Sequence, residues 1–423
     1  MITNAIAVVL AGGVGSRLAP LTDDRAKPAV PFGGQYRIID FTLSNCLHSG
    51  LRKILVLTQY KSHSLQKHLR DGWTVFNPSL GEYITPVPPQ MRTGQSWYEG
   101  TADAVYQNLY LLERSDAEYV VILSGDHIYR MDYGAMVEFH KENNADVTIA
   151  CMKVPLEDAK SFGVMGVDSA SQVVDFAEKP SSPKTIPGDD EHALASMGIY
   201  VFSRKLLCEK LHADHEEPLS SHDFGSDLLP QLIKTHRVFG YPFGGDMGRV
   251  TTDSYWRDVG TIDAYYRANM DLLEAEPAMD LYQAAWTIRA CELQAPPARA
   301  VPSSTGYRAD IQNCILGAGS VIRGATVNQS IVFPVVRIEE EATVMESILF
   351  DRVTVSSGAR LRKCIIDKGV VVPPGECIGY DRFADRKRFH VSEGGIIVIP
   401  KGFQFEERAE PKSTFMRVLR ESI

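Results

Sequence analysis

No apolar run in this 423-residue chain approaches the ~18 residues that a membrane span needs. The first one, Ile6–Leu10, ends at glycines without a cleavage-site pattern, so no signal peptide is expected. Positive charge is not in excess either. The net charge is −9, which argues against a general nucleic-acid binder. Any anionic substrate must then meet a local basic cluster. Cysteine is sparse: there are seven, and no two form a Cys-x-x-Cys pair. That pattern suits reduced, mostly buried thiols in the cytoplasm. With 44% hydrophobic and 23% charged residues, disorder and fibrous repeats are excluded. The length is enough for two or three domains.

What is present divides into regions with different periods. Residues 1–273 alternate strand-like and helix-like segments. Strands are predicted at Ile6–Leu10, Ile54–Thr58, Tyr119–Leu123, Val147–Met152, Val173–Ala177, Gly198–Phe202 and Val238–Pro242. Several are continuous apolar runs, as strands covered on both faces should be. The alternation predicts an α/β domain with a mostly parallel sheet, whose ligands lie beyond the strands' carboxyl ends. Residues 274–310 hold Pro277, Pro296, Pro297 and Pro302 and read as a linker, with a short helix near Tyr282–Trp286. From 311 to 423 an internal repeat appears. Val321, Ile338, Val355 and Val372 are each 17 apart, as are Val327, Val344, Leu361 and Ile378. Ile331, Ile348 and Ile365 keep the same spacing, and so do Gly324, Glu341, Gly358 and Gly375. Aligned columns at one spacing predict a β-solenoid of about four coils, because one coil cannot bury its apolar corner alone.

Four segments can carry chemistry. In Val8–Leu18 a buried strand enters the turn Gly12-Gly13-Val14-Gly15, whose backbone N–H groups can approach a phosphate chain. Leu18 stands where a dinucleotide fingerprint has its third glycine, and no Gly-Lys-Ser/Thr follows, so neither of those motifs applies. Arg17 and Lys27, just downstream, can neutralise phosphate charge. In Val120–His127, Asp126 follows an apolar strand, where a hard carboxylate oxygen suits Mg²⁺; a helix N-cap is the alternative. In Val173–Pro180, Glu178 suits sugar hydroxyls and Lys179 a phosphate, the two pointing opposite ways if the chain is extended. In Tyr255–Thr261, Asp258 is either a second metal carboxylate or a cap for the following helix.

Taken together with Lys27-Pro28-Ala29, Arg37–Phe41, Trp97–Ala102, Phe162–Met165, Ser196-Met197-Gly198 and Ser221-His222-Asp223-Phe224, these segments resemble the bacterial glucose-1-phosphate adenylyltransferases from about residue 5 to 400. The resemblance implies a Rossmann-like nucleotidyltransferase domain followed by a left-handed β-helix. It implies an enzyme that joins ATP and α-D-glucose 1-phosphate into ADP-glucose and diphosphate, for glycogen or another α-glucan. Tyr98, Gly163, Glu178, Lys179 and Ser196 then contact glucose 1-phosphate. Asp126 and Asp258 carry the Mg²⁺, and Gly12, Gly13, Gly15, Arg17 and Lys27 cradle ATP. The resemblance further implies a homotetramer and a small-molecule allosteric effector. Arg25, Arg37, Lys387 and Arg388 match regulatory positions, and Gln59 and Trp97 match positions linking that site to the substrates. Two departures stand out. Asp24 occupies a position that is lysine in relatives answering to fructose 1,6-bisphosphate, and Val14 replaces a polar or basic residue. Other sugar nucleotidyltransferases, using UTP, dTTP or GTP, remain the alternative. An acyltransferase solenoid commonly needs a histidine base, and none lies between Ile311 and Gly379.

Overall fold

The computed structural model describes residues 4–90, 97–244, 248–250, 254–291 and 293–406. The tail from 407 onward lies outside the described residues. Nine strands form the first sheet: β1 Ala5–Ala11, β2 Lys53–Thr58, β3 Tyr83–Val87, β4 Tyr119–Ser124, β5 Val147–Pro155, β6 Gly163–Val167, β7 Val173–Glu178, β8 His192–Ser203 and β9 Val238–Pro242. Their order is β7-β6-β8-β4-β1-β2-β3, with β5 joining β8 to β9. Only β7 and β8 run against the others.

The sheet has a core on each face. Ile6 and Val8 of β1 enter one, with Val105, Leu109 and Phe224. Ala7 and Val9 enter the other, with Ile39, Leu43 and Tyr133. Alternate residues therefore serve opposite cores, which is why β1 is apolar throughout. The helix Ile38–Ser49 opens with Arg37 N donating to Asp40 Oδ2 at 2.8 Å and closes on Gly50 at φ 80°. Asp40 is fully buried, and its Oδ1 also accepts from Trp73 Nε1 at 2.9 Å.

The second half is a stack of parallel β coils. Val327, Val344, Leu361 and Ile378 stack in register, as do Ile331, Ile348 and Ile365. The column through Ile338, Val355 and Val372 begins instead at Ile322, because Ile322 faces Ile338 and Val321 faces Arg337. That coil is one residue shorter, so an exact 17-residue count selects the wrong neighbour. Ile322 is 1% exposed and does the inward packing. Residues 299–301 also form a strand, paired in parallel with 321–323, so coil-like pairing begins within the segment read as a linker.

The two halves share one core. Ile331, Phe333, Ile348, Phe350 and Ile365 from the solenoid pack with Leu18, Phe32, Phe41 and Tyr265. Phe333 and Phe350 meet edge to face at 5.2 Å. The solenoid thus buttresses the same loops that follow β1.

Candidate active site

The carboxyl ends of β1 and β4 lie side by side, since Leu10 faces Ser124. The turn after β1 contains Gly15 at φ 66°, a left-handed position where a β-carbon would also press on Lys27 at 3.1 Å. Asp126 follows β4 and does not cap a helix: His127–Tyr129 is a short strand, and the next helix is capped by Asp132. Asp258 does not cap its following helix either, because Thr261 does, at 3.2 Å from Ala264 N. Instead, Trp256–Asp258 pairs antiparallel with His127–Tyr129, so Asp258 faces His127 beside Asp126. The two carboxylates are brought together by this small ladder.

Lys27 joins them. Its Nζ donates to Asp126 Oδ2 at 2.8 Å and to Asp258 Oδ1 at 2.9 Å, with Lys27 only 7% exposed. Burial opposes its charge, but the two carboxylates outweigh that and raise its pKa above the ordinary lysine value. Burial likewise pushes Asp126 up, yet Lys27, His127 and the Ser124 hydroxyl hold its carboxyl well below the usual range. Oxygen and nitrogen donors of Asp126, His127 and Asp258 lie within 4.8 Å of one another. His127 packs edge-on against Trp256 and has a buried Nδ1 without a hydrogen bond among the described residues. Two hard carboxylate oxygens around a spot already holding an ammonium fit a divalent cation.

Two cavities meet at Asp126. The smaller, of about 180 Å³, is lined by Gly13, Gly15, Arg17, Lys27 and Gly260. The larger, of about 540 Å³, is lined by Gly12, Gln59, Tyr98 and Glu178 among others. Gly163 lets the Glu178 carboxylate approach; a β-carbon there would sit 2.8 Å from its Oε2. Ser196 is 8% exposed, and its Oγ accepts at 3.3 Å from the N–H of Gly198, which lines the larger cavity. Lys179 differs from the extended reading. Its φ is 45°, which breaks the alternation, and its Nζ turns back to Glu178 Oε1 at 3.1 Å rather than pointing away. Trp97 is exposed and stacks on Tyr60, which lines the larger cavity, at 5.0 Å.

Arg25 and Arg37 lie at the contact between the halves. Arg25 pairs with Asp367 at 2.9 Å, while Arg37 Nη1 donates to Ser64. Lys387 and Arg388 lie on the helix Arg382–Arg388. Arg388 pairs with Glu376 at 2.8 Å and covers the Phe389 ring. Sequence reading missed Lys368, which pairs with Asp351 at 2.6 Å and lies within electrostatic reach of both arginines. It also assigned no role to Thr101 and Asp223, which line the larger cavity and hydrogen-bond at 2.8 Å. The Ser-His-Asp-Phe segment was the available signal for Asp223.

The Nucleotidyl transferase family profile matches residues 6–275, and the GlmU-like, C-terminal hexapeptide profile matches 296–399. A protein of Vibrio parahaemolyticus named glucose-1-phosphate adenylyltransferase 2 is 62% identical over 402 residues, covering 95% of this chain and 100% of the relative. Its counterpart in Vibrio cholerae is 60% identical, covering 95% and 99%. A glucose-1-phosphate adenylyltransferase of Methylobacillus flagellatus is 46% identical, covering 94% and 93%. A sheet with glycine turn and paired carboxylates, joined to a hexapeptide solenoid and matched along nearly its whole length, makes this chain a member of the glucose-1-phosphate adenylyltransferase family.

Proposed function

We propose that this enzyme transfers the adenylyl group of ATP to α-D-glucose 1-phosphate, giving ADP-glucose and diphosphate for α-glucan synthesis. The observation that carries the reading is Lys27 between Asp126 and Asp258 where two cavities meet. Backbone N–H groups of Gly12, Gly13 and Gly15, with Arg17 and Lys27, receive the ATP phosphates in this reading. Tyr98, Gly163, Glu178, Lys179 and Ser196 receive the sugar phosphate. A sugar-phosphate oxygen forms the new bond to the α-phosphorus, the bond from that phosphorus to the bridging oxygen breaks, and diphosphate leaves with the electron pair. The attacking phosphate is already ionised at neutral pH, so no general base is needed. Positioning and charge neutralisation carry the rate. Mg²⁺, held by Asp126 and Asp258, supplies opposing charge when bound.

Three further parts belong to the same reading. An anionic effector meets the basic residues Arg25, Arg37, Lys387 and Arg388, and Gln59 and Trp97 relay its presence. The assembly is a homotetramer. The location is cytoplasmic; all seven cysteines are free, and no helix of the described residues is long and apolar enough to cross a membrane. The deciding experiment measures diphosphate release from glucose 1-phosphate with ATP, UTP, dTTP and GTP in turn. ATP is expected to give the highest kcat/KM. A preference for another nucleotide would overturn the adenylyl assignment.

A further inference from the structure

Each coil of the solenoid turns three corners, and the corners use left-handed backbone. In one column, Gly324, Glu341, Gly358 and Gly375, glycine fills three of four positions. In a second, Gly319, Val335, Arg352 and Gly369, it fills two. In the third, Asn313, Gln329, Glu346 and Lys363, φ lies between 44° and 50° and no position is glycine. Glycine adopts this conformation freely and asparagine tolerates it; longer side chains resist it. The third column therefore keeps polar side chains against the preference of its backbone.

All four line one cleft of about 560 Å³, closed on the other side by residues between Tyr266 and Ala275. That size is within the range of small-molecule sites. The opposite wall is partly apolar, with Tyr266 fixed by a hydrogen bond from its hydroxyl to the Glu346 carbonyl at 2.6 Å. The side-chain amides of Asn313 and Gln329 hydrogen-bond to no other described residue. Charges nearly cancel. Glu346 pairs with Lys363 and Arg362 at 3.4 Å, and Asp271 pairs with Arg257 at 3.5 Å, leaving Glu274. The cleft thus offers no net attraction to a phosphate. It offers unpaired amides repeated at the ~4.8 Å spacing of parallel strands, facing an aromatic and aliphatic wall.

The geometry points to a binding site for an uncharged oligosaccharide, separate from the catalytic cleft. Repeated amide and carboxylate groups match repeated hydroxyls, and the Tyr266 side covers the apolar faces of the sugar rings. This inference does not depend on the catalytic reading.

The test uses the full-length enzyme and maltopentaose, with cellopentaose as a second probe, in isothermal titration calorimetry. The variant is Asn313→Gly combined with Gln329→Gly, which suits the backbone at both positions and so keeps the fold. Wild type is expected to bind at least one oligosaccharide with millimolar Kd. The double variant should bind about tenfold more weakly, having lost two side-chain partners. Its Tm and diphosphate release should be unchanged. Absence of binding by wild type, or equal binding by the variant, would overturn the proposal. A change of molar mass in light scattering for the variant would also overturn it, since the cleft would then be a subunit contact.

Discussion

Asp126, Asp258 and Lys27 illustrate what a single residue's position decides. Both carboxylates are legible in the sequence, Asp126 as an acid following an apolar strand and Asp258 as a metal carboxylate or helix cap within Tyr255–Thr261. The ammonium between them is not, because it comes from 99 residues before one and 231 before the other. Asp126→Asn keeps the shape but removes one of the two carboxylates that hold Mg²⁺ in the proposed reading. Its kcat is expected to fall by ~10³-fold or more. A folded variant with near-normal kcat would remove Asp126 from the chemistry. The sign of its pH dependence follows from its depressed pKa. Stability from the charged carboxylate is full above the unfolded value near 3.9 and is lost as pH falls through the folded one. Lys27, with a raised pKa, contributes fully below ~10.4 and is lost only as pH rises beyond. Asp126 and Lys27 therefore stay charged across neutral pH. Lys179 is a different case: a residue-type argument found the cation, but its left-handed backbone redirected the side chain to Glu178. Lys179→Gln is expected to raise KM for glucose 1-phosphate roughly ten- to hundredfold, the loss of one charge-assisted hydrogen bond. KM for ATP should stay nearly constant in the same initial-rate measurements. An equal rise for both substrates would mean that Lys179 does not discriminate between them.

At the level of elements, periodicity was informative where packing repeats and failed where one residue is skipped. Strand β1 was readable because both its faces are buried. The Ile322 column was misread because a shorter coil changes the count without changing the inward packing. Strands β3 and β6 escaped notice for another reason: each is interrupted by proline or glycine, so neither forms an apolar run. The helix Tyr133–Glu142 carries a further consequence. Its His140 is 1% exposed, shares a hydrogen bond with Thr148 of β5 at 2.9 Å, and meets Tyr119 of β4 edge-on. Burial pushes its pKa down to about 4. Its unfolded value is near 6.5, so the unfolded chain binds the extra proton between these limits. Stability from the neutral ring is thus full above ~6.5 and lost progressively as pH falls towards the folded value. The loss amounts to about 3 kcal/mol at the lower limit. Urea unfolding of wild type and His140→Gln at pH 7 and 4.5 is the check. The variant starts less stable, but its decrease between the two pH values should be smaller by about 2 kcal/mol. Equal decreases would mean that His140 is not the group being titrated.

Across the whole molecule, the contact between the halves is the feature least visible in sequence. Leu18 and Phe32 in one half, and Phe333 and Phe350 in the other, look like ordinary core residues of separate domains, yet they share a core. Within the charged part of that contact, Arg25 and Asp367 are 342 residues apart, and no motif or repeat relates them. The pair is 4% and 1% exposed, and Arg25 Nη1 has no hydrogen bond among the described residues. Arg25 also stands only two residues before Lys27. A buried pair of this kind costs desolvation, so its main effect appears when one partner is removed and the other charge is left alone. Asp367→Asn is therefore expected to lower unfolding free energy by ~3–5 kcal/mol, and to lower kcat because the segment carrying Lys27 loses its anchor. Replacing both partners, Arg25→Met with Asp367→Leu, removes the stranded charge. Stability should then recover most of that loss, since apolar groups of similar volume can fill the space. The regulatory response should not recover, because Arg25 is one of the cations offered to an anionic effector in the proposed reading. Denaturant unfolding of the single and double variants, run beside effector activation curves, separates the two contributions. A loss below ~1 kcal/mol in Asp367→Asn would class the pair with ordinary surface ion pairs and leave the contact resting on its apolar core alone.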